Sequence, residues 1–438
     1  MAAQFFRPRS SVDFYLYEEL DWQKLENEYL HICSHGHQLA HKPQPDWADL
    51  MADEWEDLIR DIYKEKDIPE KGYHKPSVQK MAGKFADSIN KIDYDSPDEE
   101  LRKILKNNVW KFSVAKNHND AKRLSNLLLD EEGKLRSWNS FKKEAEKVVG
   151  DSNRYLKTEY DTIVAGAQMA RLWKEVQRDR HIFPFVQFDV VMDDHTSDIC
   201  SPLNKVIMSV DDPMLLIYWP PNHFNCRTTI RRLRNGEPTE NVSFPDIPEA
   251  FKNNVAINGE IFTSDNTYIA NTPKEIFAYS EKHGERWFRF YDLQKNKEYK
   301  DVTFDMDTLG VKATHIHHNF DKKTGKYEKE VQDLFFKKGD EIILTSENPQ
   351  IPGKKTDGTL NGKTFDISSI LGSGKNTIKR ALNHSKDKLA DIAILHFPDA
   401  EAFELERLET SIRMFNGQTQ YRFQKIIYIV DGKIHYYP

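Results

Sequence analysis

The sequence predicts a multidomain α+β protein. A mostly helical N-terminal half is followed by a small loop-rich β module and then by a small α+β domain. Three observations predict this. The chain has 438 residues, more than one ordinary hydrophobic core holds. Apolar residues recur at spacings of three and four up to about residue 185. Beyond residue 300, short β-branched runs alternate with amphipathic stretches and glycine turns.

In chain order, DWADLMADEWEDLIRDIYKEK sets Trp47, Leu50, Met51, Trp55, Leu58 and Ile59 on one helical face. SVQKMAGKFADSINKI and ELRKILKNNVWKFSVAKNHNDAKRLSNLLLD continue the period, with Ser77 the expected N-cap after Pro76. RYLKTEYDTIVAGAQMARLWKEVQRD lines up Tyr155, Tyr160, Ile163, Ala167, Ala170 and Trp173. These are packing faces. FVQFDVVMDD reads as a strand, and KVIMSVDDPMLLIYWPPNHFNCRTTIRRL as short apolar runs broken by Asp-Asp-Pro and Pro-Pro. NGEPTENVSFPDIPEAF, rich in Pro, Glu and Asn, opens an expected connector. The expected domains are therefore 1–235, a connector at 236–300, and 301–438. In the last, YEKEVQDLFFKKG is a helix closing at Gly339, DEIILTS a strand, and GTLNGKTFDISSI a hairpin about Asn361-Gly362. KNTIKRALNHSKDKLA is a helix, DIAILHF a buried strand, AFELERLETSIRMFN a helix, and RFQKIIYIVDGKIHYYP a hairpin about Asp431-Gly432.

Composition narrows the function classes. A 30% charged and 38% hydrophobic chain suits an ordered, soluble protein. A net charge of -7 gives no global drive toward nucleic acid, so any polyanion site must be local. No apolar run approaches the roughly 18 residues of a membrane helix. The first residues lack the apolar core of a secretory signal. Three cysteines, Cys33, Cys200 and Cys226, are too few for a disulfide framework and point to a reducing compartment.

Cys200, His223 and Cys226 supply zinc-type donors at HxxC spacing, with His195 or an aspartate as a fourth. The same residues also suit a metal-free clasp in which the thiols pack and His223 bonds to backbone. The stretch DDHTSDICSPLNKVIMSVDDPMLLIYWPPNHFNCRTTIRRL resembles the phage head morphogenesis family, the Mu F-like minor head proteins. Asp194, Thr196, Cys200, Pro221, His223, Asn225, Cys226 and Arg227 carry the likeness, which extends over roughly residues 60–235. His195 stands where a basic residue is usual, and Ser197 replaces one cysteine of the usual Cys-x-x-Cys. The resemblance implies association with portal and capsid proteins during assembly, and no catalysis. On this basis the clasp reading is preferred, with zinc optional and no other cofactor.

Catalysis is expected in residues 301–438. His315, His317 and His318 fall within four positions, and histidine exchanges protons near neutral pH. In a strand, His315 and His317 share one face. Between Lys354 and Lys388 there are eight basic residues against three acidic ones, in a segment (301–438) whose 20 basic and 20 acidic residues otherwise cancel. This concentration, beside the histidines, points to a phosphate-rich ligand. GVKATHIHHNFD through GTLNGKTFDIS, then GSGKNTIKRAL, resembles the barnase–EndoU–colicin–RelE superfamily and CdiA-type tRNase toxin domains. The resemblance implies an RNA endonuclease, with RNA (tRNA among the candidates) and an immunity protein as partners. Ser368 occupies the place two after Asp366 where metal-dependent nucleases carry lysine, so metal-free cleavage by the 2′-hydroxyl is expected. His315 or His318 is the expected general base or acid, with Lys355 and Lys379 on the scissile phosphate and Asp357 and Asp366 orienting them. Lys354, Thr356, Lys375 and Arg380 are the expected nucleic-acid contacts.

The resulting expectation is a phage or prophage minor head protein of the virion, present in host cytoplasm during assembly, fused to an RNase effector. Two rivals are a purely structural virion protein and an ADP-ribosyltransferase. Against the latter, ERLE (Glu406–Glu409) falls on an expected helix rather than a strand.

Overall fold

The computed structural model describes residues 46–92, 98–348, 350 and 355–437. Cys33 and Lys354 lie outside them. The described residues form two compact units that divide between Glu281 and Lys282.

The first unit opens with four helices: α1 (Trp47–Glu65), α2 (Lys75–Asn90), α3 (Glu99–Asn126) and α4 (Trp138–Arg178). In α1, the Asp46 side chain accepts from the Ala48 and Asp49 amides, while Trp47, Met51, Trp55, Leu58, Ile59 and Ile62 form the buried face. α2 begins at Lys75 with His74 as its N-cap, so the expected capping role of Ser77 is not found. A proline is tolerated in a first helical turn, where its missing N–H has no partner to lose, and the helix therefore starts before Pro76. Ser77 lies inside it, its hydroxyl 2.8 Å from His74 Nδ1. α4 runs 41 residues, beginning well before the stretch read from Arg154 and continuing through Gly150. A single exposed helical glycine costs only about 1 kcal/mol, and packing along the rest overrides that.

β1 (Phe185–Asp189), β2 (Ile207–Ser209), α5 (Leu215–Tyr218) and β3 (Thr229–Leu233) make up the loop-rich module. Its antiparallel sheet has the order β2-β1-β3. Then come α6 (Val255–Asn258), α7 (Thr267–Ala270) and α8 (Lys274–Lys295). The expected connector is corrected here, because residues 251–270 are part of the first unit's core. Asn108 on α3 donates to the Phe262 carbonyl at 2.9 Å and accepts from the Ile261 and Phe262 amides. Phe112 stacks on Phe262 with centroids 3.7 Å apart, and Phe251, Val255, Ile261 and Tyr268 are buried. The unit boundary accordingly falls at Glu281/Lys282, within α8, rather than at 235 and 300.

The second unit contains β4 (Tyr299–Phe304), β5 (Val311–His315), α9 (Gly325–Lys337), β6 (Glu341–Leu344), β7 (Gly358–Leu360), β8 (Lys363–Ser369), α10 (Thr377–Asp387), β9 (Ile392–Phe397), α11 (Leu405–Gln418), β10 (Lys425–Val430) and β11 (Lys433–Tyr437). Its eight-stranded mixed sheet has the order β11-β10-β9-β8-β7-β6-β5-β4. The pairs β5/β6, β8/β9 and β9/β10 are parallel and the rest antiparallel. Both hairpins turn where expected, with positive φ at Asn361, Gly362, Asp431 and Gly432. Val331 and Phe335 of α9 cover one face against Ile342, Phe365, Ile394 and Ile427. Ile378, Leu382, Leu408 and Ile412 of α10 and α11 cover the other, against Ala393, Leu395 and Phe397. β9, buried at all six positions, runs through the centre.

Gly358 sets the β6/β7 spacing. A Cβ there would stand 2.2 Å from the Ile343 carbonyl oxygen and 2.7 Å from the Phe365 ring. Gly358→Ala should destabilise the second unit by ~1–3 kcal/mol, read as an earlier urea midpoint at unchanged slope.

Candidate functional site

The sheet leaves a notch where β6 and β7 stop and β8 continues. Covering helices also change face here: α9, between β5 and β6, lies on one side, and α10, after β8, on the other. Open α/β sheets bind ligands at such switch points. Gly358 pairs with Phe365, so the next step of the ladder sets Asp357 opposite Asp366 on one face. The Ile367 amide, beyond the last β7 partner, donates instead to Asp357 Oδ2 at 2.7 Å.

Two like charges placed opposite each other need a cation. Lys388, immediately after α10, supplies it, with Nζ 2.7 Å from Asp357 Oδ1 and 2.5 Å from Asp366 Oδ1. Ser385, one turn earlier, donates to Asp366 Oδ2 at 2.7 Å. Asp366 and Ser385 are fully buried and Asp357 nearly so. Burial, then the charge of Asp357, raise the Asp366 carboxyl above the usual aspartate range. Burial alone would lower Lys388, but the two carboxylates hold its ammonium above the ordinary lysine value. The centre therefore sets a carboxyl whose hold on a proton is strengthened beside a firmly charged ammonium, a pairing suited to proton transfer next to a phosphate.

Asp357 and Asp366 thus come together as expected, but their cation is Lys388, not Lys379. Lys379 lies nine positions earlier on α10, roughly 13 Å along the axis at about 1.5 Å per residue. Lys375 and Arg380 are exposed near that same distant end. Lys355 Nζ is buried and has no hydrogen-bond partner among the described residues, which leaves it available to an anion. Thr356 contributes its carbonyl to the Thr345 hydroxyl at 3.1 Å. The expectation of metal-free chemistry rested on Ser368. The lysine that does stand beside Asp366, Lys388, comes from the end of the helix rather than from the strand.

The histidines do not share a strand face. β5 ends at His315, and the chain turns, with the His318 amide donating to the His315 carbonyl. His315 Nδ1 accepts the His317 amide at 3.0 Å. His318 is buried, with Nδ1 2.9 Å from the Thr345 carbonyl and Nε2 3.0 Å from Glu328 Oε2. Both ring nitrogens of His318 are engaged, and its partner Thr345 donates its amide to the Asp357 carbonyl. Burial pulls the His318 pKa down, but Glu328 and the carbonyl pull harder, and the net shift is upward. A raised histidine stabilises the fold below its unfolded value of about 6.5 and loses that contribution as pH rises through the folded value. Glu328→Gln should therefore cost more stability at about pH 6 than at about pH 9, measured by urea unfolding.

The second constellation lies in the loop-rich module. Cys200 Sγ is 3.0 Å from His223 Nε2 and 3.6 Å from Cys226 Sγ, all three residues buried. His223 Nδ1 lies 2.6 Å from the Phe224 carbonyl, and Ser197 Oγ lies 2.8 Å from Nε2. The hydrogen bond with Cys226 lowers the Cys200 thiol to about 7 and, with burial, raises Cys226. Outside this set, Arg227 grips Asp193 through both guanidinium nitrogens at 2.7 and 2.5 Å. Asp194 and His195 lie in this anchored loop rather than among the three donors. The group could hold a metal ion.

Comparison with known proteins bears on this module. Residues 133–231, spanning all of α4, nearly all of the small sheet and all three donors, match the family described as Phage Mu protein F like protein. Protein F of Escherichia phage Mu, named for capsid assembly, is 26% identical over 148 residues, covering 31% of this chain and 34% of that protein. The chain thus spans about a third of that curated relative. A chain of the CdiA-CT/CdiI toxin and immunity complex from Burkholderia pseudomallei aligns over 26% of this chain and 84% of its own, at 20% identity and a TM-score of 0.21. A likeness that loose carries no argument. Among the described residues, no helix is long and apolar enough to cross a membrane.

Proposed function

We propose that this chain is a phage head-assembly protein of the Mu F kind whose second unit cleaves RNA. The family match over 133–231 supports the first half of this reading and suggests portal and capsid proteins as partners, with the virion as destination. The observation that carries the second half is the buried Asp357–Asp366–Lys388 centre in the sheet notch. A purely structural domain gains little from it, because opposed buried carboxylates are costly even when paired.

Chemically, a carboxylate takes the 2′-hydroxyl proton, Lys388 steadies the charge growing on phosphorus-bound oxygen, and a protonated Asp366 serves the leaving oxygen. With Asp366 protonated, Asp357 and Lys388 cancel, so an incoming phosphate needs further positive charge. The orphan Lys355 ammonium favours the metal-free version. The facing carboxylates favour a second reading, in which they hold a divalent cation that supplies the charge. Cleavage in EDTA with 2′,3′-cyclic phosphate ends supports the first reading. Cleavage only with added magnesium or manganese supports the second. An immunity protein would be the natural partner of an active toxin unit.

The whole proposal is tested in cells and virions. Expression of the full chain should arrest bacterial growth, and Asp366→Asn should relieve the arrest while still entering particles with the portal. Equal arrest by both forms, or absence of the chain from purified particles, would each remove one half of the proposal.

A further inference from the structure

We infer that Cys200, His223 and Cys226 bind one zinc ion, with the fourth corner at Ser197. Two thiolates and one imidazole are zinc donors, and two thiolates neutralise the dication, which permits burial. Tetrahedral zinc with bonds of about 2.3 Å to sulfur and about 2.0 Å to nitrogen places two sulfurs roughly 3.8 Å apart. The observed Sγ–Sγ separation is 3.6 Å, and the three ligand atoms lie within 4.8 Å of one another.

The imidazole is oriented for this role. Its Nδ1 faces the Phe224 carbonyl at 2.6 Å, which places the proton there and directs the Nε2 lone pair at the thiols. A backbone carbonyl behind the distal nitrogen is a common support for a metal-binding histidine. Ser197 Oγ lies 2.8 Å from Nε2 and accepts the Cys200 amide at 3.1 Å, so its hydroxyl borders the open corner. The fold around the site is thin: β2 has three residues and α5 four. A metal joining residue 200 to residues 223 and 226 closes a loop that regular structure barely holds.

Metal analysis of the full chain, purified from zinc-supplemented cells, should find about one zinc per chain. His223→Ala and Cys226→Ser should lose it. Ser197→Cys should keep zinc at a chelator concentration that strips the wild type, because a similar-sized thiolate completes the tetrahedron. Should the loss variants fail to fold, the wild type decides alone. Cobalt in place of zinc should give thiolate charge-transfer absorption. A metal-free wild type, a Cys200–Cys226 disulfide, cobalt bound without that absorption, or unchanged zinc in the loss variants would overturn the site. No gain from Ser197→Cys would overturn the fourth corner.

Discussion

Lys116→Ala should lower the stability of the helical unit by about 3–5 kcal/mol. Lys116 on α3 and Glu159 on α4 form an ion pair at 3.2 Å with both side chains fully buried, and Lys116 Nζ also reaches the Tyr268 hydroxyl at 3.2 Å. Removing the ammonium strands a carboxylate away from water, which costs far more than the pair itself contributes. Lys116→Met with Glu159→Leu should recover most of the loss, because a well-packed apolar pair avoids desolvating two charges. Urea unfolding at neutral pH measures both. A loss under about 1 kcal/mol for Lys116→Ala would mean that water reaches the pair.

Lys388→Met should reduce RNA cleavage roughly 10²–10³-fold, the usual cost of removing a preorganised charge from a developing oxyanion. The same change sets Asp357 against Asp366, so some stability is lost too. Adding Asp366→Asn removes that repulsion and should restore the fold but not the activity, which separates the two effects. Lys379→Ala, distant along α10, should weaken binding and reduce its salt dependence by about one charge while sparing the chemical step.

Much of this site was legible. An Asn-Gly turn fixes hairpin register, and counting outward from Asn361-Gly362 sets Asp357 directly across from Asp366. Lys388 was not legible, because in sequence it is one of eight neighbouring basic residues, and only the return of α10 over β8 selects it. Within the histidine cluster, spacing does not reveal that Glu328 and Thr345 occupy both His318 nitrogens. In the fold, α1 and β9 could be read from apolar period and run. β4 could not, because YKDVTF is a half-exposed edge strand with a register shift between Lys300 and Thr303. Nor could the packing of Ile261, Phe262 and Tyr268 on α3, whose polar partners Asn108 and Asn119 look like surface residues in sequence.

The central claim, that the Asp357–Asp366–Lys388 centre cleaves RNA, is tested most directly by incubating labelled RNA with the purified full chain and with Asp366→Asn, each with EDTA and with magnesium. Cleavage by the wild type in at least one condition, absent in the variant, is the predicted result. Equal cleavage by both proteins, or none by the wild type in either condition, would contradict it.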